Sequence, residues 1–186
     1  MSNKPQVELH IANQGVITLE LDAEKAPKTV ANFLAYVKKG FYDGTIFHRV
    51  IPQFMIQGGD PAGTGSGPDP VKAFKNETSR DLVFDKPGRL AYANAGPNTN
   101  TSQFFITEVA FTGQQGQMLN GNYTIFGQCD EASVALVKQI ASMSRDSNDR
   151  PYRPIKINHI TIQKAGGAVK PAGTPAKKPA TAPTTK

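Results

Sequence analysis

Residues 47–67 read FHRVIPQFMIQGGDPAGTGSG. Their apolar runs belong to two segments, TIFHRVI (45–51) and QFMIQG (53–58), that read as short strands. The glycine-rich end, Gly63-Thr-Gly-Ser-Gly67, fails the G-x-G-x-x-G pattern because Pro68 stands where the last glycine belongs. No convincing helix follows it, so a dinucleotide site is not expected. Working outward, RLAYA (89–93), SQFFIT (102–107), YTIFG (123–127) and IKINHITIQ (155–163) read as further strands. The alternation of the last one slips phase at Asn158-His159, which predicts a bulge or a switch of face.

Upstream, Val7, Leu9 and Ile11 alternate with polar neighbours, as do Ile17, Leu19 and Leu21. Asn13-Gln14-Gly15 between them predicts a β-hairpin. Pro27 suits the first turn of a helix through TVANFLAYVKK, with Val30, Phe33, Leu34 and Val37 on one stripe and Gly40 as its stop. A second helix is expected over EASVALVKQIASM, with Val134, Val137, Ile140 and Ala141 facing inward. Many short strands with two helices predict a mainly β architecture: a closed or nearly closed barrel capped by helices.

The chain has 186 residues, a length that suits one domain, with a formal net charge of +6. From Ala165 it reads AGGAVKPAGTPAKKPATAPTTK, with one aliphatic branch, no aromatic and no acidic residue. Such a composition cannot offset its ordering entropy, so residues 165–186 are expected to be a flexible tail beyond a domain spanning 1–164. Four of the 21 basic residues lie there, namely Lys170, Lys177, Lys178 and Lys186. The remaining 17 (21 less four) face all 15 acidic residues, so the domain carries only +2. A nucleic-acid partner is therefore not expected, and the tail alone offers few phosphate contacts.

The single Cys129 excludes a disulfide framework and Cys-rich zinc modules. No run of about 18 apolar residues exists to cross a membrane. The lone Cys and the lack of an apolar signal region favour the cytoplasm, although a processed periplasmic chain would read the same. His10, His48 and His159 lack metal-ligand spacing, no Walker A motif is present, and no Gly-x-Ser-x-Gly elbow surrounds a serine. Since triads are defined in space, His48, Asp60, Ser66 and Ser102 are only weakly excluded as a hydrolase set.

Two stretches, FHRVIPQFMIQGGDPAGTGSG (47–67) and LAYANAGPNTNTSQFFIT (90–107), closely resemble the cyclophilin family of peptidyl-prolyl cis-trans isomerases. The resemblance runs in order from Val7 to Ile162. It implies an eight-stranded antiparallel barrel, closed and capped by two α-helices, with a groove on its outside. It also implies a monomeric folding helper acting on proline-containing polypeptides with no cofactor, no metal and no covalent intermediate.

By this resemblance Arg49 hydrogen-bonds the prolyl nitrogen, and Gln57 orders Arg49 and the substrate carbonyl. Phe54, Met55, Phe105 and Leu119 match the proline pocket, Ala93, Asn94 and Ala95 the edge that pairs with the peptide main chain, and Gln103 a neighbouring subsite. Gly63 matches a groove-lining glycine, whose bland role is a turn. Phe54 and Met55 are adjacent and would point to opposite faces of a regular strand. If both line the site, the backbone there is irregular. Phe104 and Phe105 raise the same issue, and Phe104 is the better core residue. His48 belongs to the motif but is expected to be structural, since isomerisation removes no proton.

The far wall reads MLNGNYTIFG (118–127). Many eukaryotic cyclophilins have Trp where Met118 stands and His where Tyr123 stands; Tyr there looks like bacterial members. Without the indole, weak cyclosporin inhibition is expected. Gly113 and Gly116 in EVAFTGQQGQ (108–117) suggest a mobile loop beside the pocket. Two other classes compete with an enzyme: a binding module using the same groove, and a function carried by the tail.

Overall fold

The alternating runs at the N-terminus form a hairpin, Gln6–Ile11 (β1) and Gly15–Leu21 (β2), paired with Leu9 opposite Ile17. Its turn needs left-handed backbone, supplied by Asn13 at φ 61° and by Gly15 at φ 136°. The structure, a computed structural model, describes residues 3–66 and 69–164. Among these residues six more strands follow the hairpin: Arg49–Ile51 (β3), Met55–Gly58 (β4), Arg89–Tyr92 (β5), Phe104–Thr107 (β6), Ile125–Cys129 (β7) and Ile157–Lys164 (β8). They form one antiparallel sheet in the order β3-β4-β6-β5-β7-β2-β1-β8.

The expected closed barrel is corrected: this is an open, curled sheet with β3 and β8 as its edges. Where the edges approach, an isolated bridge joins Ile46 to Lys156. The Phe47 N–H donates to the Ile155 carbonyl and the Ile157 N–H to the Thr45 carbonyl, at 2.9 and 2.8 Å. Pro151 and Pro154 precede β8 and have no N–H to extend a ladder there. Of the expected strand 45–51, only Arg49–Ile51 pairs continuously.

The bulge expected in the last strand is present. Pairing passes from His10–His159 to Ile11–Ile157, leaving Asn158 unmatched. The two expected helices are Pro27–Lys38 (α1) and Glu131–Ala141 (α3). A third, Gly113–Leu119 (α2), lies in the stretch read from its glycines as a mobile loop. Gly116 has a packing role: a Cβ there would sit 2.7 Å from the Phe111 carbonyl oxygen. The glycine lets the helix press against the preceding chain.

Helix α1 buries Val30, Phe33 and Val37, with Leu34 only partly covered. Helix α3 buries Val137, Ile140 and Ala141, with Val134 partly covered. Inside the curl, Phe104 meets Phe33, Tyr42 and Phe47 edge-on at ring-centroid distances of 6.0, 5.3 and 6.2 Å. A smaller cluster of Met55, Phe84, Ala91, Phe105, Phe111 and Ile125 covers the outer face. Strands β5 and β6 are therefore buried at every position.

The first turn of α1 is capped from a distance, because Ala26 has no side chain to do it. The Glu77 carboxylate accepts the Lys28 and Thr29 N–H groups at 3.0 and 3.1 Å. Replacing Glu77 by Ala is expected to cost about 1 kcal/mol, the usual worth of an N-terminal cap. An unchanged urea midpoint would show that water replaces the carboxylate without loss.

Candidate functional site

Three neighbouring strands put three different chemistries in one row. Arg49 on β3 pairs with Gln57 on β4, Gln57 with Phe105 on β6, and Phe105 with Ala91 on β5. Residues directly opposed across antiparallel strands share a face, so Arg49, Gln57 and Phe105 lie side by side on the outer surface. Met55, two residues before Gln57, shares that face, while Ile56 between them enters the core.

Phe54 reaches the same groove because the chain is irregular just before β4, as its adjacency to Met55 requires. Gln53 adopts φ 61°, and its N–H donates to the Glu108 carboxylate at 2.6 Å. The Phe54 N–H closes a turn on the Ile51 carbonyl, and its ring stacks on Phe111 at 5.3 Å. Phe104 turns into the interior and Phe105 outward, as expected of neighbours on a strand.

These side chains, with Ala93, Asn94, Leu119 and Tyr123, line a groove holding a cavity of about 180 Å³. Tyr123 meets Phe105 edge-on at 5.6 Å. Gln57 is oriented by a hydrogen bond from its Nε2 to Gln103 Oε1 at 2.9 Å. Arg49 is exposed, and among the described residues no carboxylate pairs with it. Its guanidinium donors are thus available at the rim of an apolar pocket.

Asn94 forms the opposite edge. Its side-chain amide donates to the Asn122 carbonyl at 3.0 Å, and its Oδ1 accepts the Gly96 N–H. Among the described residues, the Asn94 backbone N–H and carbonyl make no hydrogen bond. Flanked by Ala93 and Ala95, this main chain is accessible to an extended peptide.

Gln103 and Ala95 line an adjoining pocket with Gly65, Asp69, Thr99 and Thr101. Gly63 and Met118 are not part of the groove. Gly63 is a buried turn residue at φ 66°, packed on Ile46, whose carbonyl accepts from Arg150 at 2.5 Å. Gly65, two residues on, is the glycine that faces the adjoining pocket. Met118 is 68 % exposed, since α2 turns it outward while Leu119 enters.

On the far side of Arg49, a polar depression is lined by His48, Thr64, Ser66, Asp146, Asn148 and Arg150. No local motif announced this loop, the Asn122 brace or Asp69; they arrive from distant parts of the chain. Among the described residues, no cluster of three His, Cys, Asp or Glu side chains could hold a metal ion.

His48 is buried, and among the described residues its Nδ1 has no hydrogen-bond partner. Burial pushes the imidazole below its ordinary pKa; Asp60 pulls the other way, while Arg150 and Arg49 lower it further. Burial alone would raise Asp60, but N–H groups of Gly65, Ala62 and Thr64 donate to its carboxylate and hold its pKa low.

The neutral His48 has a consequence for acid stability. The unfolded chain takes up this proton more readily than the folded one, so stability is full above the ordinary value near 6.5 and falls as pH drops below it. The decline continues until the folded imidazole itself titrates. Asp60 contributes a separate loss at lower pH, as pH falls below the ordinary carboxylate value near 3.9. His48→Gln is expected to flatten the fall in urea midpoint between about pH 7.5 and about pH 5. Equal slopes in both proteins would contradict this.

Residues 6–162 match the model of the family described as cyclophilin type peptidyl-prolyl cis-trans isomerase/CLD. The chain is 49 % identical over 145 residues to peptidyl-prolyl cis-trans isomerase ppi1 of Schizosaccharomyces pombe, covering 77 % of this chain and 90 % of that one. It is 46 % identical over 166 residues to peptidyl-prolyl cis-trans isomerase A of Mycobacterium tuberculosis, covering 81 % and 88 %. Identity therefore does not separate bacterial from eukaryotic relatives. Among solved structures, a cyclophilin-type isomerase of Cryptosporidium parvum superposes with a TM-score of 0.79 at 37 % identity, covering 87 % of this chain and 98 % of that one. A structure of that protein in the presence of the dipeptide Ala-Pro matches with a TM-score of 0.76 at 37 % identity, covering 86 % and 99 %.

Proposed function

The chain belongs to the cyclophilin-type peptidyl-prolyl cis-trans isomerase family, and on that footing we propose that Arg49 drives the rotation of X-Pro bonds held in the groove. An amide resists rotation because twisting breaks its resonance, a barrier of about 18–20 kcal/mol. Uncatalysed X-Pro bonds consequently interconvert over tens to hundreds of seconds. In the twisted state the prolyl nitrogen becomes pyramidal and exposes a lone pair. A fixed cationic donor favours that state over either planar one, with no proton transferred and no covalent bond made. Arg49 suits the role because a guanidinium stays charged and directs its donors rigidly.

The proline ring sits between Phe54, Met55, Phe105, Leu119 and Tyr123, which grip it without polar commitments. The main chain of Asn94 pairs with one side of the peptide, and Gln57, steadied by Gln103, receives the other. One half is held while the bond turns. A single observation carries this reading: a guanidinium and a main-chain edge, both without partners among the described residues, face each other across an oriented amide and an aromatic ring.

The substrates proposed are proline-containing polypeptides, acted on by a single chain in the cytoplasm. There, a lone Cys129 with burial pushing its thiol pKa up needs no disulfide partner. The test follows cis-to-trans relaxation of an X-Pro peptide with the wild-type chain and with Arg49→Ala. Acceleration by the wild type alone supports the proposal. Binding without acceleration by either protein would favour the binding-module alternative.

A further inference from the structure

We propose that Lys177-Lys178-Pro179, in the part of the chain beyond β8, is a ligand of the groove on the same molecule and competes there with substrate. This rests on the reading of the groove as a site for prolyl peptides. Residues 165–186 contain four X-Pro bonds, at Lys170-Pro171, Thr174-Pro175, Lys178-Pro179 and Ala182-Pro183. The residues around them are mostly Ala, Gly and Thr, small enough to lie along the edge formed by Ala93, Asn94 and Ala95. A site that grips a proline ring through apolar contacts has no means of refusing a proline of its own chain.

Charge selects among the four. Among the described residues, the pocket adjoining the groove beyond Ala93 and Asn94 has Asp69 as its one charged lining residue, exposed and without an ion pair. The depression on the other side of the groove presents two arginines, Arg49 and Arg150, against one carboxylate, Asp146, whose Oδ1 already accepts the Asn148 and Arg150 N–H groups. A segment with lysines ahead of its proline therefore gains by pointing them toward Asp69 and away from the arginines. Only Pro179 is preceded by two lysines.

Length allows the same choice. Pro171 lies seven residues past Lys164, within about 25 Å of it even when extended; Pro179 lies 15 residues past it and reaches about 50 Å. A domain of this size is roughly 40 Å across. Pro179 clears that distance and Pro171 does not.

Tethering sets the strength of the competition. A segment held by a short linker has an effective concentration on the order of 1 mM. If its intrinsic Kd is about 1 mM, it occupies the groove about half the time and roughly doubles the apparent KM of a competing peptide.

The test uses the full chain throughout. Replacing Pro171, Pro175, Pro179 and Pro183 together by Ala is expected to lower KM for a short X-Pro peptide about two-fold and leave kcat unchanged. Lys177→Glu with Lys178→Glu should recover most of that gain with all four prolines present. In parallel, backbone amide shifts of Ala93, Asn94 and Ala95 in the wild type should differ from those in Pro179→Ala, independently of protein concentration.

Unchanged KM in the variants, or identical shifts, would overturn the proposal. Shifts that disappear on dilution would place the segment in a second copy and overturn the same-molecule arrangement. Should the chain fail to accelerate X-Pro relaxation at all, the isomerase mechanism falls, while the shift comparison still decides whether the segment docks.

Discussion

Arg49→Ala is expected to lower kcat/KM for cis-to-trans relaxation of an X-Pro peptide by roughly 10²–10³-fold, the loss typical of removing one preorganised donor from a transition state. The size follows from where the charge develops. Neither planar amide offers a basic nitrogen, so the guanidinium gains its hydrogen bond only as the bond twists, and its removal falls on the barrier. Substrate binding rests mainly on the apolar pocket and the Asn94 edge, so KM should move less than kcat.

Arg49→Lys keeps the charge but gives up the rigid fork, and a loss of about tenfold or more is expected because a flexible ammonium must be ordered each time. Neither substitution should disturb folding. Arg49 is exposed and unpaired among the described residues, and surface changes of this kind stay within about 0.5 kcal/mol. A loss of only two- or three-fold in Arg49→Ala, with stability intact, would remove Arg49 from the centre of the mechanism.

The groove was legible where local rules govern it. Strand period two separates Phe104 from Phe105, and the structure sends the first inward and the second out. Adjacent Phe54 and Met55 can share a site only through irregular backbone, and Gln53 supplies it at φ 61°. The phase slip at Asn158 is the bulge that carries β8 along β1.

What stayed hidden depends on contacts between distant segments. Glycine disfavours helices, so Gly113 and Gly116 read as a loop, yet Gly116 is there because α2 packs against the Phe111 carbonyl. Met118 and Leu119 are neighbours whose fates divide by helical rotation, which no motif match reveals. Gly63 carries the family resemblance, while Gly65 faces the pocket. The Asn122 carbonyl that braces Asn94 and the Glu77 carboxylate that caps α1 lie 28 and 48–49 residues from their partners. The seam of the sheet follows the same rule: closure depends on how far β3 and β8 pair, and the chain ahead of each meets in the isolated bridge of Ile46 to Lys156.

Phe104→Ala is expected to cost about 3–5 kcal/mol, the largest stability loss anticipated for a single change in this domain. Its ring is fully buried among Phe33, Tyr42 and Phe47, rings contributed by α1 and by the chain leading into β3. Gly59 also packs on it, since a Cβ there would approach the Phe104 ring to 2.8 Å. Truncation leaves a void that Phe33, tilted against Tyr42 and Phe126, and Tyr42, edge-on to Tyr36 and Phe41, are poorly placed to fill.

At about 2–4 °C per kcal/mol for a chain of this size, Tm should fall by roughly 6–20 °C. Phe104 faces away from the groove, so kcat/KM per folded molecule should stay within about two-fold of wild type below the transition. Phe105→Ala, one residue on, removes the ring that floors the proline pocket and should cut kcat/KM even where the protein remains folded. The pair separates the two faces of β6. A Phe104 variant that unfolds as the wild type does, or one that is fully folded but inactive, would contradict the division of labour drawn between them.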